Sequence, residues 1–419
     1  MLFLIWQADI ILAIMRDTDL FQLALGLSSP WKVKSSIFNP QEKRLDITLY
    51  FARGSAFACP ECGQSALKAH DTVLKIWRHL NFFEHEVYLS AKVPRVKCKG
   101  CGIRLVDVPW ARPGSGFTLL FEAMVMTLAK AMPVKTIAEY VGEHDTRLWR
   151  IIHHYVDKGR AEADYSEVRK VGFDETSSKR GHDYVSLFVD LDGPDVIFAT
   201  EGKDSSTVKH FKEDLTAHNG SVENIEQMCC DMSPAFIKGV NENFPDTELT
   251  FDKFHIIKII NEAVDQVRRE EQKEHPELAR SRYVWLKNPQ NLTRKQENKL
   301  NSLTLKKFNL RTSRAYHIKL NFQEIFNQSH DAAELLLKKW FFWATHSRLK
   351  PVIDAAYTIR RHWNGVLQWF KSQINNGILE GINSLIQAAK ARACGYRTTR
   401  NLIAMIYLIG GNLNFGLPT

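Results

Sequence analysis

The stretch RKVGFDETSSKRGHDYVSLFVDLDGPDVIFAT, residues 169–200, contains three short runs in which apolar residues recur with the period of a β-strand. Two further runs of this kind follow, IEQMCCD at 225–231 and ELTFD at 248–252. The segments 204–217 and 233–243, after the third and fourth runs, have a helical pattern. This part of the chain is therefore predicted to form an α/β domain with five strands.

Five strands in this order predict a ribonuclease H-like sheet, in which the first strand lies in the centre and the fourth pairs beside it. Asp174 ends the first predicted strand and Asp231 ends the fourth, so their carboxylates would lie close together. Like charges at short distance are costly unless a cation lies between them. Two Mg²⁺ ions would fill that role and suit phosphodiester chemistry. Alternatively, strand-end aspartates merely form turns, as we expect of Asp190, Asp192 and Asp195.

Four of the seven cysteines form two C-x-x-C pairs, CPEC at 59–62 and CKGC at 98–101. Zn²⁺ prefers four such ligands in a tetrahedron, which predicts one structural zinc ion. The predicted ligands are Cys59, Cys62, Cys98 and Cys101. The strands expected around them would form a β-rich module at about residues 30–110. Two unrelated thiol pairs and a redox C-x-x-C are the alternatives.

The segment PVKTIAEYVGEHDTRLWRIIHHYV, residues 133–156, has the spacing of a helix-turn-helix. Ala138 would allow a close helix crossing, and Gly142 would permit the turn. The second helix is predicted to present four side chains to DNA, with the two arginines most exposed: Thr146, Arg147, Arg150 and His153. An ordinary αα-hairpin is the alternative.

The chain is basic, with 56 Lys and Arg residues against 47 Asp and Glu residues and a pI of about 9.1. Such a balance favours a polyanionic partner such as nucleic acid. The apolar stretch at residues 1–14 is too short to span a bilayer and lacks the basic start of a signal peptide. We interpret it as a helix or as an upstream start, with translation beginning at Met15, and expect a cytoplasmic, nucleoid-associated protein without a membrane segment.

Several motifs occur in a characteristic order: CPECG, WRHLNF, RVKCKGCG, WARPGSGFT, VGFDETSSKRGHDYVSLFVDLD, CCDMSPAFIKGV, FDKFHIIKIINEAVDQVRR, YVWLKNPQNLT and NGILEGINSLIQAAKARACGYR. In this combination the chain closely resembles bacterial insertion-sequence transposases of the ISL-three type, from about residue 15 to residue 412. The resemblance implies a zinc-binding domain, a helix-turn-helix and a DDE catalytic core interrupted by an α-helical insertion. The implied acidic triad falls on Asp174, Asp231 and Glu380. Lys253 stands where the family usually has Arg, which keeps the basic charge.

Glu380 is the single carboxylate of the basic stretch at 375–402. The spacing predicts a helix over 376–390 with one apolar face, formed by Ile378, Ile382, Leu385 and Ile386. Glu380 would lie off that face and reach the rim of the sheet. A basic track for DNA phosphates is expected to follow, at Lys390, Arg392, Arg397 and Arg400. If Glu380 is only a surface residue, Asp252 and Asp354 are the next candidates for the third acid.

The resemblance implies a DNA transposase that binds the terminal inverted repeats of its element and catalyses metal-dependent strand cleavage and strand transfer. We expect structural zinc, two catalytic Mg²⁺ or Mn²⁺ ions, double-stranded DNA as partner, and a homodimer or higher oligomer. A non-enzymatic DNA-binding regulator is the rival hypothesis, although it leaves the three acids unexplained. The expected organisation is multidomain α+β. It begins with a leader at 1–14, a zinc-binding domain at 15–110 and a helix-turn-helix at 111–160. The catalytic core follows, with a first part at 167–260, the insertion at 261–370 and a last part at 371–419.

Overall fold

The computed structural model describes residues 16–179, 181, 183–304, 310–374 and 376–418. The predicted leader at 1–14 lies outside the described residues. The chain forms two compact units by contact, a first unit up to Tyr155 that also includes the segment from Phe415, and a second unit at Val156–Asn414.

The first unit begins with a helix and six strands: α1 at Asp17–Ala24, β1 at Trp31–Asn39, β2 at Arg44–Phe51, β3 at Ala56–Phe57, β4 at Leu67–Phe82, β5 at His85–Cys98 and β6 at Gly102–Leu105. The strands form one sheet in the order β1-β2-β5-β4-β3, with β6 paired to β5. The alternating apolar residues of β2 and β5, such as Ile47 and Leu89, are buried with Trp31 and Trp110. The β-rich character predicted for this region is confirmed.

Three helices follow, α2 at Leu119–Ala129, α3 at Val134–Val141 and α4 at Asp145–Ala161. Gly142 ends α3 with a φ of 70°, a left-handed conformation that glycine adopts at no steric cost. The buried guanidinium of Arg78 donates to the Val141 carbonyl oxygen at 3.3 Å. This bond satisfies an end-of-helix acceptor and ties the turn between α3 and α4 to strand β4.

The second unit contains the predicted five-stranded sheet, with β7 at Lys170–Ser177, β8 at Tyr184–Asp190, β9 at Asp195–Glu201, β10 at Gln227–Cys230 and β11 at Glu248–Phe251. The strand order is β11-β10-β7-β8-β9. Strand β8 pairs antiparallel with both β7 and β9, whereas β10 and β11 run parallel to β7. The first strand is therefore central and the fourth lies beside it, as predicted.

The expectation that Asp174 ends the first strand is wrong. Strand β7 continues through Ser177, because its antiparallel pairing with β8 extends from Val171 opposite Asp190 to Ser177 opposite Tyr184. Asp174 thus lies inside the sheet, opposite Leu187. Asp231, in contrast, directly follows the last residue of β10.

Helices make up most of the rest of this unit: α5 at Ser205–Ala217, α6 at Pro234–Asn243, α7 at Lys253–Glu271, α8 at Arg282–Leu286, α9 at Arg294–Leu303, α10 at Arg311–Ile325, α11 at His330–Thr345, α12 at Lys350–Arg361, α13 at Trp363–Ser372, α14 at Gly377–Arg392 and α15 at Thr399–Gly410. One continuous core joins the aromatic rings over the sheet, such as Phe173 and Phe188, with Phe322 and Trp340 of the helices. The helical segment therefore shares the hydrophobic core of the sheet.

The apolar face predicted for α14 is partly wrong. Ile378 and Leu385 are exposed, whereas Leu379, Ile382, Ile386 and Ala389 are the buried residues. The buried set also has spacings of three and four residues, so the helix is rotated relative to the prediction. None of the helices in the described part of the chain is long and apolar enough to cross a lipid bilayer.

Close packing of α13 on β11 yields a stability prediction with a matched control. A methyl group on Gly365 would overlap the ring of the buried Phe251, whereas one on Gly381 of α14 would meet open space. Overpacking costs about 1–3 kcal/mol, while replacing a helical glycine by alanine gains about 1 kcal/mol. We expect Gly365→Ala to lower the Tm and Gly381→Ala to leave it unchanged or raise it, as measured by thermal unfolding. Equal Tm values for the two variants would contradict this packing.

Candidate functional site

The four predicted zinc ligands meet at one point in the first unit. The Sγ atoms of Cys59, Cys62, Cys98 and Cys101 all lie within 4.8 Å of one another, and those of Cys62 and Cys98 are 3.5 Å apart. A turn at residues 59–64 brings the first pair together, since the Cys59 amide donates to the Gln64 carbonyl oxygen and the Gly63 amide donates to the Cys59 carbonyl oxygen. Two unrelated thiol pairs would not converge in this way.

The electrostatics of the thiol cluster suit a bound dication. Backbone amides of Cys101 and Gly100 hydrogen-bond to Cys98 and lower the pKa of its thiol to about 7. Hydrogen bonds to the other thiols, above all Cys62, raise the pKa of Cys101 to about 12. Four thiolates at this distance repel one another, and only a metal ion would stabilise them all in the ionised form. The cluster thus fits a structural zinc with four thiolate ligands.

The second candidate site lies at one edge of the sheet in the second unit. Cys229 is opposite Gly172 in the parallel pairing of β10 with β7, so Asp231, two residues later, comes beside Asp174. Cys230 is likewise opposite Phe251 of β11, which brings Asp231 beside Asp252. Three aspartates therefore lie in a row, Asp174 within β7 and the other two directly after β10 and β11.

Asp174 is destabilised in its charged form. The pKa of Asp174 is raised to about 6, chiefly by burial; the negative charges of Glu175 and Asp231 also raise it, whereas the Glu175 backbone amide and His255 lower it. Asp252 is 2% exposed, and its Oδ2 lies 3.2 Å from Nδ1 of His255. That hydrogen bond raises the pKa of His255, with further contributions from the charges of Asp174 and Asp231. Such a group of acids favours a cationic partner.

Helix α14 crosses strand β7 with a stripe of polar side chains at spacings of four and three residues: Asn376, Glu380, Asn383, Gln387 and Lys390. The amide of Asn383 lies 3.4 Å from Oδ2 of Asp174. One turn further on, the amide of Gln387 donates to Oγ1 of Thr176 at 2.6 Å, and the ammonium of Lys390 donates to the Ser177 carbonyl oxygen.

Glu380 occupies the stripe position between two residues that contact the sheet. Before it, the amide of Asn376 lies 3.5 Å from the Phe173 carbonyl oxygen, and after it comes the contact of Asn383 with Asp174. Residues three and four apart share one face of a helix, so Glu380 is on the side of α14 that meets β7. Its side chain is exposed and lines a cavity together with Asp252.

The carboxylates at the sheet edge are spaced more widely than the thiols of the zinc cluster. Among the described residues, the four cysteines are the one group of three or more potential ligands whose atoms all lie within 4.8 Å of one another. Two neighbouring groups nevertheless fit a hydrated cation, because Oδ1 of Asn376 and Oδ1 of Asn383 are buried acceptors that lack a donor in the described part of the chain. Water molecules on a cation at this edge would supply such donors.

Sequence reasoning missed the contribution of Asn376, Asn383 and Gln387. The available signal was their spacing from Glu380, which places all four on one face of the helix. Asp354, one of the two alternatives for the third acid, is an exposed residue of α12 that is ion-paired with Lys350. Asp252 remains the alternative on the sheet edge itself.

The predicted DNA-reading face of α4 is only partly available. Thr146 and Arg150 are exposed. The prediction that Arg147 is among the most exposed residues is wrong, because its guanidinium pairs with Glu143 and lies 4.4 Å from the centre of the Phe117 ring. His153 is partly buried, with its ring 5.7 Å from that of Trp149.

The predicted basic track is also mixed in character. Arg392 and Arg397 are exposed near the end of α14 and in the loop that follows. Lys390 donates a hydrogen bond to strand β7, as described above. Arg400 of α15 is ion-paired, with its Nη2 atom 3.3 Å from Oδ2 of Asp157.

Comparison with known families decides the identity of the chain. Residues 171–406 match a transposase family model, DDE_Tnp_ISL3, and residues 106–156 match the helix-turn-helix domain of transposase family ISL3. Residues 55–101 match the zinc-finger of transposases IS204, IS1001, IS1096 and IS1165. The chain belongs to the ISL3 family of insertion-sequence transposases. The resemblance inferred from the motifs is thereby confirmed.

Curated relatives agree with this assignment over nearly the whole chain. The transposase for insertion sequence element IS1557 of Mycobacterium tuberculosis is 27% identical over 94% of this chain and 96% of its own length. The transposase for IS1001 of Bordetella parapertussis is 26% identical over 85% of this chain and 90% of its own length. This ISL3 transposase is therefore a DNA transposase with a helix-turn-helix DNA-binding domain and a structural zinc finger, and its family implies a divalent metal in catalysis.

The convergence of the four thiols predicts the metal content of this transposase. Replacing Cys98 by serine removes a ligand that is buried in the cluster, so the zinc content should fall from about one ion per chain to nearly none. The matched control is Cys394→Ser, at an exposed cysteine outside the cluster. Zinc is measured by elemental analysis of the purified proteins. Full zinc content in Cys98→Ser would contradict the assignment.

Proposed function

We propose that this transposase binds the terminal inverted repeats of its insertion sequence and catalyses metal-dependent strand cleavage and strand transfer, with Asp174, Asp231 and Glu380 as the metal ligands. The observation that carries the proposal is the polar stripe of α14, which brings Glu380 to the side of the helix that meets β7. That strand holds Asp174, and Asp231 lies beside it.

The architecture supports this proposal. A central strand flanked by an antiparallel pair on one side and two parallel strands on the other is the arrangement expected of a ribonuclease H-like core. We infer that the helical segment at 261–370, between β11 and α14, forms the insertion of that core. Because its helices pack into the core of the sheet, the insertion would hold α14 in place.

The chemistry assigns a role to each acidic residue. When bound, two divalent cations, Mg²⁺ or Mn²⁺, would activate an attacking oxygen and stabilise a leaving oxygen at phosphorus. Asp174 and Asp231 supply carboxylate oxygens from adjacent strands, and the longer side chain of Glu380 supplies a third from α14. Asn383 orients Asp174 through its contact at 3.4 Å. Water would be the nucleophile in cleavage, and the freed 3′-hydroxyl would attack target DNA in strand transfer.

DNA binding is assigned to the face of α4 around Thr146 and Arg150, because both side chains are exposed on the second helix of the matched helix-turn-helix. In the second unit, Arg392 and Arg397 would contact DNA phosphates.

Paired element ends require two active sites, so we propose a homodimer or higher oligomer on DNA. The proposed location is the nucleoid.

The role of Glu380 is tested by Glu380→Gln, which keeps the shape of the side chain but removes its charge. We expect normal Tm and normal binding of terminal-repeat DNA, but at least a thousandfold slower cleavage in Mg²⁺, which corresponds to about 4 kcal/mol of transition-state stabilisation. The matched control is Glu242→Gln, at an exposed residue of α6 that is ion-paired with Lys238. Cleavage is followed on end-labelled duplexes. If Glu380→Gln cuts at the rate of the unmodified protein, the third acid must be sought at Asp252.

The DNA-binding face is tested by Arg150→Ala. Loss of one phosphate contact should weaken repeat binding and reduce the slope of log K against log salt concentration by about 0.9. Lys209→Ala, on α5 of the second unit, is the control for loss of a surface charge. Binding is measured by fluorescence anisotropy at several salt concentrations. An unchanged affinity and slope for Arg150→Ala would place repeat binding on another surface.

A further inference from the structure

A cavity of about 750 Å³ in the second unit opens beside the proposed catalytic edge. Asp252 and Glu380 are part of its lining, together with residues of α7, α10, α13 and the loop after α8. The volume is in the range of cavities that hold small organic groups. The proposed metal ligands account for only part of this lining, and the remaining lining residues indicate what else the cavity could bind.

Four carboxamides are part of the lining of the cavity: Asn288, Gln290, Gln323 and Asn327. Each carboxamide offers both a donor and an acceptor. The amide of Gln323 donates to Oδ1 of Asn288 at 3.0 Å, which fixes the orientation of both groups. The carboxamides are therefore suited to a neutral ligand whose edge carries hydrogen-bond donors and acceptors together.

The wall that carries Asn288 is held rigidly. The fully buried ammonium of Lys319 donates to the carbonyl oxygens of Trp285 at 2.9 Å and Leu286 at 2.8 Å. These oxygens belong to the last residues of α8, directly before the loop that contains Asn288. A lysine that satisfies the end of a buried helix keeps the carboxamides in place before any ligand arrives.

An aromatic ring forms another part of the lining. Trp369 lies in the wall of the cavity, and the ammonium of Lys253 is 4.7 Å from the centre of its ring. The indole Nε1 of Trp369 is a buried donor without an acceptor in the described part of the chain. Ile257 and Leu320 add apolar surface beside it.

The charge of the lining discriminates between possible ligands. Three acids, Asp252, Glu324 and Glu380, face a single cation, Lys253, so a bare phosphate group would be repelled. A planar, neutral ring with mixed donors and acceptors would instead contact the indole and the carboxamides. Nucleobases outside a duplex are recognised in this way, by stacking on aromatic side chains and by hydrogen bonds to their edges.

We propose that this cavity binds an unstacked, extrahelical nucleobase of the DNA strand that is cut, close to the scissile phosphate. The proposal rests on the proposed function, because Asp252 and Glu380 join the cavity to the catalytic edge. Binding the base outside the duplex would fix the adjacent phosphate relative to Asp174 and Asp231. Trp369 and Gln323 would be the residues that contact the base.

The test uses full-length protein and a duplex of the element end, with 2-aminopurine or an abasic nucleotide placed in turn at each position around the cut. With the unmodified protein, 2-aminopurine fluorescence should change at one position because the base leaves the duplex stack. This change should be lost in Trp369→Leu and in Gln323→Ala. Both variants should cut intact DNA at least tenfold more slowly than the unmodified protein does. On a duplex with an abasic nucleotide at that position, the variants and the unmodified protein should cut at the same rate.

Trp343→Leu, at a half-exposed tryptophan of α11, is the control and should behave like the unmodified protein. Gln323→Ala keeps the test valid if Trp369→Leu fails to fold. The proposal is overturned if no position shows the fluorescence change, or if variants of normal Tm cut intact DNA at the normal rate. An equal loss of rate on intact and all abasic duplexes would also overturn it. Failure of the unmodified protein to cut any duplex would count against the proposed function, while the fluorescence result would still decide whether the cavity binds a base.

Discussion

The contact of α14 with strand β7 is the interaction on which the proposed active site depends. The side chains of Asn376, Asn383 and Gln387 bond to groups of the central strand, and the buried residues Ile382 and Ile386 fix the rotation of the helix. Glu380 lies far along the chain from the two aspartates, so its position is set entirely by this packing. A rotation of α14 by one residue would carry Glu380 away from the sheet.

The sheet holds Asp174 in a position where its negative charge is unfavourable. Asp174 lies inside strand β7, directly after Phe173, which is fully buried and pairs with the fully buried Phe188 of β8. The pKa of Asp174 is raised to about 6, chiefly by burial. When Asp174 is ionised, its carboxylate lies beside a second one, that of Asp231. A divalent cation would relieve the repulsion between Asp174 and Asp231, so the fold favours the metal ions that its proposed chemistry requires. The thiol cluster of the first unit follows the same principle with softer ligands.

Features that depend on local pattern could be predicted from the sequence. The five strands, the left-handed turn at Gly142 and the convergence of Cys59 with Cys98 follow from apolar period, glycine placement and ligand spacing. Features that depend on tertiary contacts could not. Arg147 is drawn onto the ring of Phe117 by a chain segment well before the helix. Leu379 rather than Ile378 is buried because the packing of α14 on the sheet sets the rotation of the helix. Asp174 lies inside a strand because β8 pairs beyond it.

The central claim is that Glu380, delivered by α14, joins Asp174 and Asp231 around divalent metal. The most direct measurement is the anomalous diffraction of Mn²⁺ in crystals of the full-length protein with terminal-repeat DNA. The account predicts anomalous peaks at the sheet edge that are coordinated by carboxylate oxygens of Asp174, Asp231 and Glu380. Peaks coordinated by Asp252 in place of Glu380, or DNA-bound protein without Mn²⁺ at this edge, would contradict it.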